Sequence, residues 1–143
     1  AEHGISMTVR EEFFSTSAKG VLRGMHFQVP PHAHQKIIYC LSGRVLDVLL
    51  DLRMDSLTYG HSVGIELSAI NHHVVYLPAG IAHGFLSQED NSCLVYKTDA
   101  VHAPESDFGL RWDSFGFDWP IEKGIISGRD LNHPLFANFS SPF

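Results

Sequence analysis

Short segments rich in β-branched and aromatic residues recur about every ten residues over the first hundred, separated by turn signals. "KIIYCL", "HHVVYL" and "CLVYKT" are such segments, and "PPHAH", "LSGR", "LPAG" and "QEDNS" are turns. "RVLDVLLDLR", residues 44–53, begins with alternation and continues as an apolar run, which is typical of a strand buried on both faces. No helical period interrupts this pattern, so the spacing predicts an all-β sandwich or small barrel.

The segment from Ala103 onward has a different character, because it is aromatic and interrupted by glycine and proline. This composition predicts an irregular C-terminal segment that packs over the barrel as a lid, with one short helix. The sequence contains no internal repeat and no linker, and 143 residues is the size of one ordinary domain. We therefore expect residues 1–143 to form a single domain.

Charge and apolar patterning narrow the classes of partner. The formal net charge of −6 favours neither nucleic acid nor an anionic membrane surface. No apolar run approaches the roughly 20 residues of a membrane span, and "AEHGISMTVREEFF" shows no signal-peptide pattern. Cys40 and Cys93 lie within apolar runs and are expected to be reduced core residues. These features predict a cytoplasmic protein without nucleic-acid or membrane partners.

Three histidines raise the alternative of a metal site. "HAH" would project His32 and His34 to one face of a strand, and "PAGIAH" places His83 after a turn. This pattern resembles the two-part cupin motif, but Ile38 or Tyr39 stands where that motif requires a ligating Glu. "PPHAHQ" also fits a proline-led turn into a strand at the following lysine, which favours solvated histidines at the mouth of a pocket over metal ligands.

His26 has a different setting, inside the strand-like stretch "VLRGMHFQ". Alternation places it on the same face as Gln28, and Gly24 permits a bulge or close backbone approach that would bring Arg23 near that face. With Lys36 within reach on a neighbouring strand, His26 could act as a base. A core histidine with a satisfied hydrogen bond is the competing interpretation.

A family resemblance bears on this choice. "KGVLRGMHFQVPPHAHQK", "LPAGIAHGF", "VYKT", "GLRWDS" and "ISGRD" occur in this order. Together, over residues 19–134, they resemble the dTDP-4-dehydrorhamnose 3,5-epimerase family. The resemblance implies a cupin-type jelly-roll (a double-stranded β-helix barrel) that works without metal or other cofactor, usually as a homodimer. The implied substrate is a 4-keto-6-deoxy sugar carried on a nucleoside diphosphate, in deoxysugar or surface polysaccharide biosynthesis.

The resemblance also implies four catalytic roles. His26 would be the base that removes a proton next to the ketone, and Asp130 would orient its ring and stabilise the imidazolium. Tyr96 would be the acid that returns a proton on the opposite face, since a phenol is protonated at neutral pH. Lys36 would stabilise the enolate oxygen. The competing interpretations are a core tyrosine, an exposed strand lysine and an aspartate that caps a short helix.

Five further residues are expected to bind substrate. By resemblance, Arg23 and His83 would line the sugar and phosphate end of the pocket, where an arginine fork suits a diphosphate. Gln28 shares the face of the proposed base, and His102 stands where the family usually carries a tyrosine. Asp47 lies in an apolar run and needs a partner such as His83 or the lysine of the neighbouring strand.

Departures from the family pattern affect the residues that would read the substrate. Val101 and His102 replace family tyrosines, and Arg10 and Glu12 stand at about the positions of a Gln and an Asn that touch the sugar. The nucleotide and the choice between epimerisation at C3, at C5 or at both are therefore open. Two alternatives remain at this point: a metal cupin (oxygenase or isomerase) that uses His32, His34 and His83, and a non-catalytic sugar-binding cupin.

Overall fold

The computed structural model describes residues 4–143, which fold into two β-sheets. The strands are β1 (Glu11–Ser17), β2 (Val21–Gln28), β3 (Lys36–Ser42), β4 (Arg44–Asp51), β5 (Ser62–Ser68), β6 (Val74–Leu77), β7 (Ile81–Ser87), β8 (Ser92–Thr98), β9 (Asp107–Gly109) and β10 (Ile125–Ile126). The four-stranded sheet has the order β1-β8-β3-β6, and the second sheet has the order β10-β2-β7-β4-β5, with β9 also paired to β2. Among the described residues, no helix has the length and apolar character of a membrane span.

The predicted doubly buried strand is confirmed in β4. Val48 and Leu50 point into one apolar cluster, Val45 points into another, and none of the three is exposed. Because side chains alternate along a strand, this division shows that both faces of β4 are covered. The cluster that contains Val45 fills the space between the two sheets. This arrangement gives the barrel that the strand spacing predicted and the jelly-roll fold that the resemblance implied.

The C-terminal segment covers the outer face of the larger sheet. Its aromatic residues pack against the apolar cluster that contains Val48 and Leu50. Trp119 is buried there, and Trp112, Phe117 and Phe139 are partly buried. The segment is largely irregular and contains one α-helix, α1 (Gly128–Leu131), in agreement with the prediction. It thereby carries α1 to the edge of β2, the strand that bears the proposed base.

A close approach of β2 and β7 positions the residues around His26. The register between the two strands shifts between Arg23 and His26. A Cβ on Gly24, whose φ is +127°, would lie 2.5 Å from Gly84 Cα, so no larger residue fits without displacing the neighbouring backbone. The bulge and close approach predicted from this glycine are confirmed.

Candidate active site

A cavity of about 410 Å³ lies between the two sheets. The two sheets contribute walls on opposite sides, because β2 and β7 belong to one sheet and β1, β3 and β8 to the other. The structure brings together most of the residues predicted from the sequence, and Asp47 and Asp130 lie behind the cavity wall rather than in it. The predicted residues that line the cavity are Arg23, His26, Gln28, Lys36, His83, Tyr96 and His102.

His26 and Asp130 form a hydrogen-bonded pair at one side of the cavity. His26 Nε2 lies 2.7 Å from Asp130 Oδ1, and Gly24 N–H donates to the other carboxylate oxygen at 3.2 Å. Burial would raise the pKa of Asp130, but the hydrogen bond and charge of His26 outweigh it and the pKa is lowered. An ionised carboxylate only accepts hydrogen bonds, so Nε2 carries the proton and Nδ1 is the basic atom.

The short helix α1 holds Asp130 in place. Ser127 is the N-cap of α1, and its hydroxyl accepts a hydrogen bond from Asp130 N–H at 3.1 Å. The alternative role of Asp130 as the cap is therefore wrong, because the serine occupies that position. With only 4% of its side chain exposed, Asp130 is shielded from water. The carboxylate is thus free to face β2 and the imidazole of His26.

Lys36, the first residue of β3, brings the ammonium group to the cavity. Burial lowers the pKa of this lysine to about 8, while the carboxylates of Asp107 and Asp47 oppose part of the shift. In the part of the chain that the structure describes, Lys36 forms no ion pair within 4 Å. A charged, unpaired ammonium in a sheltered cavity can stabilise negative charge on a ligand oxygen.

Tyr96 lies on β8, in the sheet opposite to His26. Its ring stacks on Phe13, with centroids 4.7 Å apart and planes 9° from parallel, and meets His83 edge-on. Burial raises the pKa of the phenol well above its ordinary value. The hydroxyl is consequently protonated at neutral pH and can serve as a proton donor.

His83 is held by a carboxylate that has no access to the cavity. Its Nε2 lies 2.5 Å from Asp47 Oδ1, and the Asp47 side chain is 0% exposed. The sequence left His83 and Lys36 as the two possible partners of Asp47, and in the structure the partner is His83. The predicted direct contact between Asp47 and substrate requires correction, because the His83 ring separates the carboxylate from the cavity. Asp47 instead orients the imidazole that faces the ligand space.

The remaining predicted residues, Gln28, His102 and Arg23, also line the cavity. Gln28 is buried, and its amide bonds to the backbone of His32 and Ala103 at 2.8 Å each, so it also connects two loops. The backbone N–H of His102 donates to Glu11 Oε2 at 3.0 Å. Arg23 donates to Ser17 Oγ at 3.2 Å.

The "HAH" histidines are not equivalent. Both precede β3, in agreement with the predicted turn, and His32 is partly exposed and bonded to Ser106. His34, in contrast, lines the cavity, and both of its ring nitrogens are buried without a hydrogen-bond partner in the described chain. Burial, followed by the charge of Lys36, lowers the pKa of His34 to about 4. The prediction of a solvated turn histidine is wrong for this residue.

The proposed metal ligands do not assemble. Within residues 4–143, the ligand atoms of His32, His34 and His83 do not come within 4.8 Å of one another as a group. The group that does is His26, Asp130 and His133. His83 is also engaged by the buried Asp47, which the cupin motif did not predict.

Strand register determines which residues of β1 line the cavity. Glu11, Phe13 and Ser15 line it. Arg10 and Glu12 were expected at the sugar-reading positions, but Glu12 instead forms an ion pair with Lys97. The expected positions came from the family resemblance, and a shift of one residue exchanges the two faces of a strand. The alternation along β1, with Glu11, Phe13 and Ser15 on one face, is the sequence signal that could have identified the cavity-lining residues.

A jelly-roll barrel whose cavity carries a paired imidazole, a lysine and a buried phenol has the groups that a cupin-type isomerase needs for proton transfer. The sequence profile of the dTDP-4-dehydrorhamnose 3,5-epimerase family matches residues 1–138. The chain belongs to this family.

Relatives and solved structures agree with this assignment. The Escherichia coli K12 dTDP-4-dehydrorhamnose 3,5-epimerase is 40% identical over 125 residues, covering 86% of this chain and 68% of the relative. The Bacillus anthracis enzyme, solved with TDP and PPi, superposes with a TM-score of 0.91 at 35% identity, covering 94% of this chain and 78% of that one. The Legionella pneumophila epimerase, solved with dTDP-4-keto-L-rhamnose, gives a TM-score of 0.90 at 34% identity, covering 96% and 74%.

Proposed function

We propose that this protein is an epimerase that acts on a nucleotide-linked 4-keto-6-deoxy sugar, in deoxysugar or surface polysaccharide biosynthesis. The observation that carries the proposal is the placement of His26 and Tyr96 on opposite sheets, facing one cavity. Inversion of a carbon requires a base on one side of the sugar ring and an acid on the other. The 4-keto sugar nucleotide bound to the Legionella pneumophila epimerase is a substrate class with this chemistry.

The proposed reaction consists of two proton transfers at one carbon of the sugar. His26 Nδ1 takes a proton from the carbon next to the ketone, and the electron pair of that C–H bond moves to the ketone oxygen to form an enolate. Tyr96 then delivers its phenolic proton to the opposite face of the carbon. Exchange with solvent returns the imidazolium and the tyrosinate to their starting states. The same cycle serves C3, C5 or both, because both carbons neighbour C4.

Two residues stabilise charge during this cycle. The Asp130 carboxylate, 2.7 Å from His26 Nε2, stabilises the imidazolium that forms as the proton is taken. The unpaired ammonium of Lys36 stabilises the enolate oxygen, a type of electrostatic contribution that is often the largest catalytic term. All four groups belong to the chain, so the proposed cycle needs neither metal nor other cofactor.

We propose that the polar residues that line the cavity bind the nucleotide sugar. Arg23 offers a guanidinium for the diphosphate, and His83 and His102 line the cavity beside it. His34 has buried nitrogens without partners, which makes it a further candidate for hydrogen bonding to the sugar. Gln28 contributes mainly by connecting the two loops at the mouth.

We further propose that the chain is a single-domain, cytoplasmic protein that forms a homodimer through its four-stranded sheet. Phe14, Val95, Tyr39 and Val74 are successive partners across β1, β8, β3 and β6, so they form one cross-strand row on the outer face. Phe14 is 71% exposed and Val74 is 61% exposed, and an apolar row of this kind favours burial against a second copy. Light scattering coupled to size-exclusion chromatography measures the mass directly.

Deuterium exchange tests the proposed reaction. The protein is incubated in heavy water with dTDP-, CDP- or GDP-linked 4-keto-6-deoxy sugar, and NMR locates deuterium at C3 or C5. We expect incorporation with at least one carrier, and a decrease of at least about 10²-fold for His26→Ala. His73→Ala, at an exposed histidine, is the matched control and should match the parent. Binding without exchange for all three carriers would contradict the proposal and support a sugar-binding protein.

A further inference from the structure

A second histidine packs against the His26–Asp130 pair from behind. His133 Nε2 lies 3.4 Å from Asp130 Oδ1, the same oxygen that His26 Nε2 contacts at 2.7 Å. The two imidazoles pack edge to face, with centroids 5.7 Å apart and planes at 76°. His133 does not line the cavity, so its only route to the reaction is through its two neighbours.

The space for this imidazole depends on Gly109. Gly109 is opposite His26 in the pairing of β2 with β9. A Cβ on Gly109 would overlap the tip of the His133 ring. Any larger residue at this position would push the imidazole away from Asp130. The glycine and the histidine therefore form a matched pair next to the proposed base.

His133 is available as a neutral hydrogen-bond donor. Its side chain is 12% exposed, and the buried Nε2 lies close to Asp130 Oδ1 but is not aligned for a hydrogen bond to it or to any other group in the described chain. Burial and the nearby His26 lower the pKa of His133, against the opposing effect of Asp130. The charged or titratable groups that face it are His26 from β2 and Asp130 and Arg129 from α1. A neutral ring can turn its N–H toward the carboxylate without adding a charge.

We propose that His133 is a positioning residue for the catalytic base. It supports the His26 ring by edge-on packing and offers a second N–H to Asp130 Oδ1. The carboxylate then keeps its orientation while His26 gains and loses a proton in each turnover. Because a second donor takes up part of the negative charge of Asp130, it also limits how strongly the imidazolium is stabilised. This inference rests on the proposed epimerase function.

Two variants of His133 separate packing from hydrogen bonding. His133→Phe keeps a ring and removes both nitrogens, whereas His133→Gln keeps an N–H donor near the position of Nε2. For His133→Phe we expect kcat to decrease about tenfold, equivalent to about 1.4 kcal/mol of transition-state stabilisation. KM should stay within about twofold, since the residue does not touch the cavity. The acidic limb of the kcat/KM profile should move to higher pH, because the full charge of Asp130 then stabilises the imidazolium.

The pattern across the variants decides the proposal. We expect His133→Gln to restore kcat and the acidic limb to near the parent values. A parent-like kcat and pH profile for His133→Phe would overturn the inference, as would equal losses in both variants with an unmoved acidic limb. If His133→Phe does not fold, Gly109→Ala displaces the imidazole without removing it, and parent-like kinetics there would overturn the inference as well.

Absence of exchange in the parent would overturn the proposed function together with this inference, whereas parent exchange that needs His26 but not His133 would overturn the inference alone.

Discussion

The protonation state of Lys36 should determine the alkaline limit of activity. Burial holds the pKa of this lysine near 8, about two and a half units below its ordinary value. Only the ammonium form can stabilise an enolate oxygen. The free enzyme should therefore lose activity as the pH rises through about 8.

The magnitude follows from this pKa. With a pKa of about 8, about nine-tenths of the enzyme carries the charged lysine at pH 7 and about one-tenth carries it at pH 9. The value of kcat/KM should decrease about tenfold between these two pH values, and about tenfold for each further pH unit. A bound nucleotide sugar adds negative charge to the cavity and favours the ammonium form. The alkaline limb of kcat should thus lie at higher pH than that of kcat/KM.

The assay is a pH series of initial epimerisation rates between pH 6 and about pH 10, followed by NMR. Lys36→Gln removes the titrating group, so its rates should be at least about 10²-fold lower and show no limb near pH 8. Lys123→Gln, at an exposed lysine, is the matched control and should keep both the rate and the limb. An alkaline limb that survives in Lys36→Gln would refute the assignment.

Titration of Lys36 should not cause the protein to unfold over the pH range in which activity is expected to decrease. The pKa of this lysine is lower in the folded protein than in the unfolded chain, so the unfolded chain binds more protons between about pH 8 and pH 10.5. The contribution of this group to the free energy of unfolding therefore increases over that interval. Circular dichroism at each pH should show the folded state throughout the range in which activity declines.

Three further predictions concern other parts of the molecule. Tyr96→Phe should still exchange the proton next to the ketone through His26 but lose inversion by at least about 10²-fold, which NMR distinguishes as deuterium uptake without epimer formation. Asp51→Ala should lower the free energy of unfolding by about 3 kcal/mol, because the buried carboxylate accepts from Arg53 and two hydroxyls. Hydrogen bonding from Arg53 lowers the pKa of Asp51, so in thermal melts the advantage of the parent should be full above about pH 4 and shrink as the pH decreases further. His34→Ala should raise KM about tenfold at constant protein stability, since His34 lines the cavity and its ring nitrogens have no partner in the described chain, and an unchanged KM would contradict a role in binding.

Local patterns predicted much of the fold. The apolar run in β4 indicated a strand covered on both faces, and the structure covers one face with the barrel interior and the other with the C-terminal segment. Gly24 indicated a close backbone approach, which Gly84 provides. Both predictions succeeded because they depend on the side-chain period of a strand and on the size of glycine, which are local properties.

Predictions failed where a residue's surroundings come from distant parts of the chain. His34 has the residue type and spacing of a turn histidine, but the fold places it in the cavity wall and buries both of its ring nitrogens. Asp47 was expected to meet substrate, yet the His83 ring of the adjacent strand covers it. Burial and hydrogen-bond partners depend on which strands become neighbours, and strand order is a property of the whole sheet.

Residue types and their local spacing were enough to predict the strand-rich architecture, the buried central strand, the close approach at Gly24 and the presence of the residue types that proton transfer needs. Their arrangement depends on the folded chain: the proposed base lies on one sheet and the proposed acid on the other, burial makes the lysine less basic, and His133 packs against Asp130 over Gly109. The physical reason is that side-chain period and residue size act over a few neighbouring positions. Desolvation and hydrogen bonding, in contrast, act between residues that are up to about a hundred positions apart in the chain.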